Sequence, residues 1–269
     1  MRVPFFKMHG LGNDFVVLDG RDVPVPAVTA ALAARLADRH TGIGCDQLIV
    51  LEPSASADFR MRIFNADGSE VGACGNASRA VALLHGAAAQ VETAGGTIAL
   101  EPAEGGARVD MGTPRFAWDA IPLAYPLDTA ALPVSWGELT NGAAVNIGNP
   151  HVIFFVEDAA SVDLAAIGPE IEHDALFPER VNVNVASIAD GAIRLRVWER
   201  GAGLTLACGT GACATAVAAI RRKLVTSPVG VHLPGGTLRI EWGGEGSPII
   251  MTGPASESFR GSFEWGDFA

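Results

Sequence analysis

The sequence lacks several things that would have pointed to whole classes of protein. No apolar run approaches the roughly 18 residues needed to cross a bilayer. The opening segment Met1-Arg2-Val3-Pro4-Phe5-Phe6-Lys7 has neither the apolar stretch nor the small-residue cleavage site of a secretory signal. A cytoplasmic protein with no membrane partner is therefore expected. Basic residues are scarce, 19 against 30 acidic ones, for a formal net charge of −11. That balance argues against a nucleic-acid partner, which calls for a basic patch. Cysteine is sparse too: Cys45, Cys74, Cys208 and Cys213 are the whole set. They form no Cys-x-x-Cys pair and have no histidine at zinc spacing, so neither a disulfide scaffold nor a metal centre is expected. The glycine pairs Gly42-x-Gly44, Gly201-x-Gly203 and Gly209-x-Gly211 lack the third glycine of a dinucleotide fingerprint, and no Gly-Lys-Ser/Thr phosphate loop occurs.

What is present is a globular composition, 49% hydrophobic and 18% charged over 269 residues, enough for one large domain or two modest ones. The chain also repeats itself. Shifted by 134 residues, Arg60-Met61-Arg62-Ile63-Phe64-Asn65 falls on Arg194-Leu195-Arg196-Val197-Trp198-Glu199, and Ala73-Cys74-Gly75 on Ala207-Cys208-Gly209. Five of the sixteen positions from 60 to 75 are identical, where ordinary composition gives roughly one. A shift of 136 sets Leu11-Gly12-Asn13-Asp14-Phe15-Val16-Val17 on Ile147-Gly148-Asn149-Pro150-His151-Val152-Ile153. Duplication accounts for both matches.

Each half has the same local grammar. Arg60 to Phe64 and Ile193 to Trp198 alternate as strands do. A polar turn follows, then Cys-Gly opens an alanine-rich run, Asn76 to Ala89 and Gly211 to Lys223, with the apolarity of a buried helix. Val25 to Asp38 reads as another helix and Leu164 onward as a short one. The proline-rich stretch from Pro114 to Pro133 reads as the crossing between halves. Without regular βαβ alternation, the fold class expected is α+β, mixed sheet in each half.

Both repeat-matched cysteines stand where a strand-turn meets a helix. Free N–H groups and the positive helix end there favour a thiolate and cradle a carboxylate. Gly75-Asn76-Ala77 and Gly209-Thr210-Gly211 leave room for a substrate to approach the backbone. Two such thiols on opposite faces of one carbon can invert it: one removes a proton and the other returns one. The pair needs one thiolate and one thiol together, and Glu199 and His151 stand in repeat-matched segments from which they can set that balance. The reaction calls for no cofactor. Cys45 and Cys213 have no repeat partner, and Cys213 is expected in the core. Cys74 with His85 or His151 also suggests a thiol hydrolase, a reading that leaves the second Cys-Gly helix unexplained.

The motifs resemble those of the diaminopimelate epimerase family over nearly the whole length. They run from Gly10-Leu11-Gly12-Asn13-Asp14-Phe15 through Gly42-Ile43-Gly44-Cys45-Asp46-Gln47 to Phe64-Asn65-Ala66-Asp67-Gly68-Ser69-Glu70 and Ala73-Cys74-Gly75-Asn76. In the second half come Gly148-Asn149-Pro150-His151, Phe177-Pro178-Glu179-Arg180-Val181-Asn182, Glu199-Arg200-Gly201-Ala202-Gly203, Ala207-Cys208-Gly209-Thr210-Gly211 and Leu233-Pro234-Gly235-Gly236.

The resemblance implies interconversion of LL- and meso-diaminopimelate for lysine and peptidoglycan precursors, and a homodimer. It implies two pseudo-symmetric lobes, each a mixed sheet around a central helix, with the active site in the cleft between. The lobes are placed at 1–118, with the tail 257–269 packing back on it, and at 119–256. By the family's pattern Cys74 is the proton donor and Cys208 the acceptor, with His151 and Glu199 tuning them. Asn13, Gln47, Asn65, Gly75, Asn76, Asn149, Asn182, Glu199, Arg200, Gly209 and Thr210 would hold the substrate, Arg200 clamping the distal carboxylate. Leu204, Ala77 and Phe64 depart from the family's usual Glu, Gly and Tyr. A proline-racemase-type enzyme would share the thiols without the distal clamp, and a silent binding protein on this fold would have lost one of them.

Overall fold

The computed structural model describes residues 1–72 and 74–268, so Ala73, inside one of the repeated motifs, lies outside the described residues. The chain divides into two units, Met1–Val109 with Gly253–Ala269, and Asp110–Thr252. The sequence places the corresponding boundaries at 118/119 and 256/257.

In the first unit the elements are β1 (Arg2–Gly10), β2 (Asn13–Asp19), α1 (Ala30–Ala37), β3 (Gln47–Glu52), β4 (Phe59–Asn65), β5 (Glu70–Val71), α2 (Gly75–His85), β6 (Ala89–Thr93), β7 (Gly96–Ala103) and β8 (Gly106–Asp110). The second carries β9 (Ser135–Trp136), β10 (Leu139–Thr140), β11 (Ala143–Asn146), β12 (Pro150–Phe155), α3 (Leu164–Glu172), β13 (Asn182–Ala189), β14 (Ala192–Glu199), β15 (Gly203–Thr205), α4 (Gly209–Arg221), β16 (Val229–Leu233), β17 (Gly236–Trp242) and β18 (Ile249–Gly253). Strand β19 (Ser256–Glu264) returns to the first unit and pairs with β1.

The duplication survives in the pairing. β1 with β2 is antiparallel, β2 with β3 parallel, β3 with β4 antiparallel and β4 with β6 parallel. β11 to β12, β12 to β13, β13 to β14 and β14 to β16 follow the same sequence of senses. The parallel pair Phe59↔Val91 is matched by Ile193↔Val231. Even the turns that lead into β2 and β12 agree: Gly12 and Gly148 hold φ of 91° and 90°, a left-handed conformation that a side chain would strain.

Strands buried on both faces lose the alternation of a half-exposed strand. Phe15, Val16, Val17 and Leu18 of β2 are all fully buried. Val16 and Leu18 join Leu48 and Val50 against Leu32 and Leu36 of α1. In the second unit Val152, Phe154, Val183 and Val185 pack with Leu164 and Ile171 of α3. The central helices take the other role: α4 packs against β11, β12, β13, β14, β16 and β17, and α2 against β1, β7 and β19. Such enclosure explains their alanines, since close packing leaves no volume for longer side chains.

Helix ends differ from the sequence reading for local reasons. α1 begins only at Ala30, capped by the Thr29 hydroxyl accepting from the Leu32 N–H, because Pro24 and Pro26 push their predecessors out of helical geometry. α2 stops at His85 on Gly86, whose φ of 76° is a left-handed C-cap. Among the described residues, no helix is long and apolar enough to cross a membrane.

Candidate active site

Cys74 and Cys208 are the N-caps of α2 and α4. Their backbones are extended, with φ/ψ of −149°/109° and −127°/110°. Each sulfur accepts from the N–H three residues on: Ala77 at 3.5 Å and Gly211 at 3.4 Å. A cap position normally takes Ser, Thr, Asp or Asn. Sulfur fills it here in both halves.

The surroundings of the two sulfurs diverge. Around Cys74, which is half-buried, the acceptor is the amide oxygen of Asn13 at 3.9 Å. Asn13 is pinned from both sides: its Nδ2 donates to Asp46 at 2.9 Å and its Oδ1 accepts from Asn76 at 3.0 Å. Asn76 in turn accepts from the fully buried Arg79. Gln47 and Asn65 form their own pair, Nε2 to Oδ1 at 3.0 Å, and Asn65 donates to Ser69. The Gln47 Oε1 is buried and has no protein partner among the described residues.

Around Cys208 stands a carboxylate. The thiol donates to Glu199 Oε2 at 3.0 Å, and the other carboxylate oxygen accepts from Thr205 at 2.6 Å. Thr210 Oγ1 lies 3.6 Å from the sulfur. Burial, and then the Glu199 charge, push the thiol well above its ordinary pKa. From the sequence alone, the helix end is expected to lower it. The Thr210 hydroxyl and the Gly211 N–H do act in that direction, but desolvation of a buried cysteine beside a carboxylate outweighs them.

His151 is fully buried on β12, paired in register with Asn182. Its Nε2 meets Asn149 Oδ1 at 2.8 Å and its Nδ1 meets Asn184 Nδ2 at 3.2 Å. Burial and the Arg200 charge hold its pKa down to about 3, so the ring is neutral. Asn149 also donates to Thr210 Oγ1 at 3.3 Å. Asn182 holds the Arg200 backbone, accepting its N–H at 2.9 Å, and donates to Pro150 O. The Arg200 guanidinium donates to the Glu179 carbonyl. Gly75 and Gly209 are the first residues of their helices.

Within the first unit the structure thus links Asn13, Cys74 and Asn76, and pairs Gln47 with Asn65. Within the second it links Asn149, His151, Glu199, Cys208 and Thr210, and joins Asn182 to Arg200. Several members of these networks escaped the sequence reading. Asp46, within the Gly42-to-Gln47 motif, orients Asn13, and Thr205, two residues past Gly203, orients Glu199. Glu172, a 2% exposed carboxylate, accepts from Trp198 Nε1 at 2.7 Å and Gly201 N–H at 2.9 Å, bracketing Glu199-Arg200. Asn184 carried a signal, an amide flanked by Val183 and Val185. Cys213 is buried in α4, and Cys45 is buried with its pKa pushed up to about 11 by desolvation. Among the described residues, no cluster of His, Cys, Asp and Glu is placed to hold a metal.

The sequence model of the diaminopimelate epimerase family matches residues 5–117 and 143–257. The diaminopimelate epimerase of Erythrobacter litoralis is 70% identical over 270 residues, covering 100% of both chains. Among solved structures, a phenazine biosynthesis protein of the PhzF family from Enterococcus faecalis superposes with a TM-score of 0.70 at 16% identity, covering 98% of this chain and 100% of its own. A hydroxyproline epimerase from Agrobacterium vitis gives 0.65 at 17%, covering 97% and 92%. At these identities the two structures speak for the fold alone.

Proposed function

The chain belongs to the diaminopimelate epimerase family, and we propose that it interconverts LL- and meso-diaminopimelate with Cys74 and Cys208 as the proton-transferring groups. The observation that carries this is the placing of two sulfurs, at repeat-equivalent positions, as caps of buried helices. Each has backbone N–H groups for the carboxylate of the reacting end.

The differing surroundings suggest how the labour divides. Glu199 is the repeat equivalent of Asn65, so only the second unit offers a carboxylate in that place. It takes the proton from Cys208, which leaves a thiolate able to remove the α-hydrogen. Cys74, facing the amide oxygen of Asn13, holds its proton as a thiol and delivers it to the opposite face of the carbanionic carbon. In the reverse reaction the roles exchange. His151 and Glu199 tune the pair. The helix-end N–H groups stabilise the carboxylate as it takes up negative charge in the transition state. Asn13, Gln47, Asn65, Asn76, Asn149, Asn182 and Thr210 supply polar contacts to a substrate with two amino-acid ends, and Arg200 clamps the distal carboxylate.

The enzyme works without pyridoxal phosphate or metal, as a cytoplasmic homodimer in lysine and peptidoglycan-precursor synthesis, with no nucleic-acid or membrane partner. A charge of −11 fits this last point. The test is incubation of the reduced protein with LL-diaminopimelate in heavy water. Deuterium is expected at one α-carbon as the meso isomer forms. No incorporation by the wild type, or undiminished turnover in Cys74→Ala or Cys208→Ala, sinks the proposal.

A further inference from the structure

Asn184 sits fully buried on β13, between Val183 and Val185. Its Nδ2 lies 3.0 Å from the Val152 carbonyl, 3.3 Å from that of Asn182, and 3.2 Å from Nδ1 of His151. Two backbone carbonyls can be met only by the nitrogen of the amide, which settles its orientation. The Oδ1 faces the other way and has no hydrogen-bond partner among the described residues. It rests against the first turn of α4, where a Cβ added at Gly211 would stand 2.7 Å from it. The glycine is therefore required for Asn184 to be there.

One amide hydrogen goes to the Val152 carbonyl, and the other is shared between the Asn182 carbonyl at 3.3 Å and Nδ1 at 3.2 Å. Nδ1 therefore faces a donor, is the acceptor, and leaves the ring proton on Nε2. Nε2 then donates to Asn149 Oδ1 at 2.8 Å. This turns the Nδ2 of Asn149 toward Thr210 Oγ1, at 3.3 Å. A hydroxyl that accepts there keeps its own proton for the Cys208 sulfur, 3.6 Å away. Every link donates in one direction, toward the sulfur.

We propose that Asn184 is a positioning residue: by donating to Nδ1 it holds His151 as the Nε2–H tautomer, and that tautomer orients Asn149 and Thr210 so that the Thr210 hydroxyl donates to the thiolate of Cys208. The consequence for turnover rests on the two-thiol reading given above; the tautomer does not. The two contacts of the sulfur then serve its two states. Glu199 accepts the proton of the thiol, and Thr210 supports the thiolate once that proton has gone. The opposite tautomer would set N–H against N–H at Asn184 and reverse the Asn149 amide. Thr210 would then donate to Asn149 and leave the sulfur.

The test uses full-length enzyme labelled with nitrogen-15 at histidine, the His151 signals being assigned by their loss in His151→Gln. Wild type is expected to show an unprotonated Nδ1 and a protonated Nε2. Asn184→Leu, similar in volume but without a donor, is expected to give mixed tautomers and a kcat about tenfold lower at unchanged KM, the scale of one hydrogen bond to a charged group. Asn184→Asp is expected to move the proton to Nδ1. A wild-type ring protonated at Nδ1 overturns the proposal, as does Asn184→Leu with an unchanged ring or with full kcat. The wild-type spectrum needs no variant, so it decides even where the leucine protein fails to fold. A wild type that has the Nε2–H ring but does not turn over diaminopimelate refutes the enzyme reading and supports the tautomer assignment.

Discussion

Cys208 and Glu199 are joined by a 3.0 Å contact from thiol to carboxylate, at a cysteine that is 3% exposed. A buried thiol beside a negative charge resists ionising by itself, yet the same carboxylate is where its proton can go. These two effects separate in Glu199→Gln. Without the charge, the Cys208 pKa falls toward its ordinary value, because Glu199 is one of the causes that raise it. The thiolate fraction at pH 8 therefore rises, and alkylation of Cys208 by iodoacetamide, followed on its peptide by mass spectrometry, is expected to speed up. Turnover is expected to drop about a hundredfold, since on the proposed mechanism the group that takes the thiol proton is gone. Faster alkylation with slower catalysis is the signature; both falling together would mean that Glu199 only holds the structure.

Cys74→Ser and Cys208→Ser should each keep the cap, because a hydroxyl accepts from the same helix N–H groups. Thermal midpoints are expected within a few degrees of wild type, the shift that about 1 kcal/mol produces in a chain of this size. The much less acidic hydroxyl cannot serve as the proton-transfer group, so kcat for epimerisation should fall by about a thousandfold or more in both. Circular-dichroism melts and the heavy-water exchange assay check the two halves of this expectation.

The duplication was the most legible feature, because strand residues and cap cysteines keep their identity when a unit is copied. The 134-residue shift sets β4 on β14 and α2 on α4, and the pairing senses follow. The asymmetry between the copies was written less openly. Phe15 and His151 occupy equivalent, fully buried places, and only one of them carries a proton; sequence alone presents this as an ordinary difference. Asn65 and Glu199 are equivalent too, but the 3.0 Å reach of Glu199 to sulfur depends on Thr205 and the β14–β15 turn. Partners such as Glu172 were hidden because they act from a neighbouring element, α3, with no motif around them. Their signal is burial of a charge, which a sequence does not display.

Glu172 accepts from the indole of Trp198 and from the Gly201 N–H, and so grips the chain on both sides of Glu199-Arg200. Glutamine has one oxygen to give, so Glu172→Gln leaves a donor facing a donor in a site that is 2% exposed. A stability loss of about 1–3 kcal/mol is expected in urea unfolding. If Arg200 clamps the distal carboxylate, the loosened loop should raise KM for diaminopimelate more than it lowers kcat. A change in Trp198 fluorescence that accompanies the KM shift would locate the effect in this loop. An unaltered KM would leave the carboxylate with a folding role alone.

His151 gives stability a pH dependence with a definite sign. In the unfolded chain its imidazole titrates near 6.5, whereas in the folded protein burial and then Arg200 hold it down to about 3. Between those values the unfolded chain binds a proton that the native state refuses. The native state is therefore favoured fully above the unfolded pKa and progressively less as pH falls toward 3. Denaturant unfolding from pH 7.5 to 4 should show wild type losing stability through this range. His151→Gln, which has no proton to take up, should lose less over the same interval, even though it starts lower for want of the ring's packing and its bonds to Asn149 and Asn184. Parallel curves for the two proteins would mean that the ring titrates alike folded and unfolded, and would remove the case for a buried neutral histidine beside Asn149.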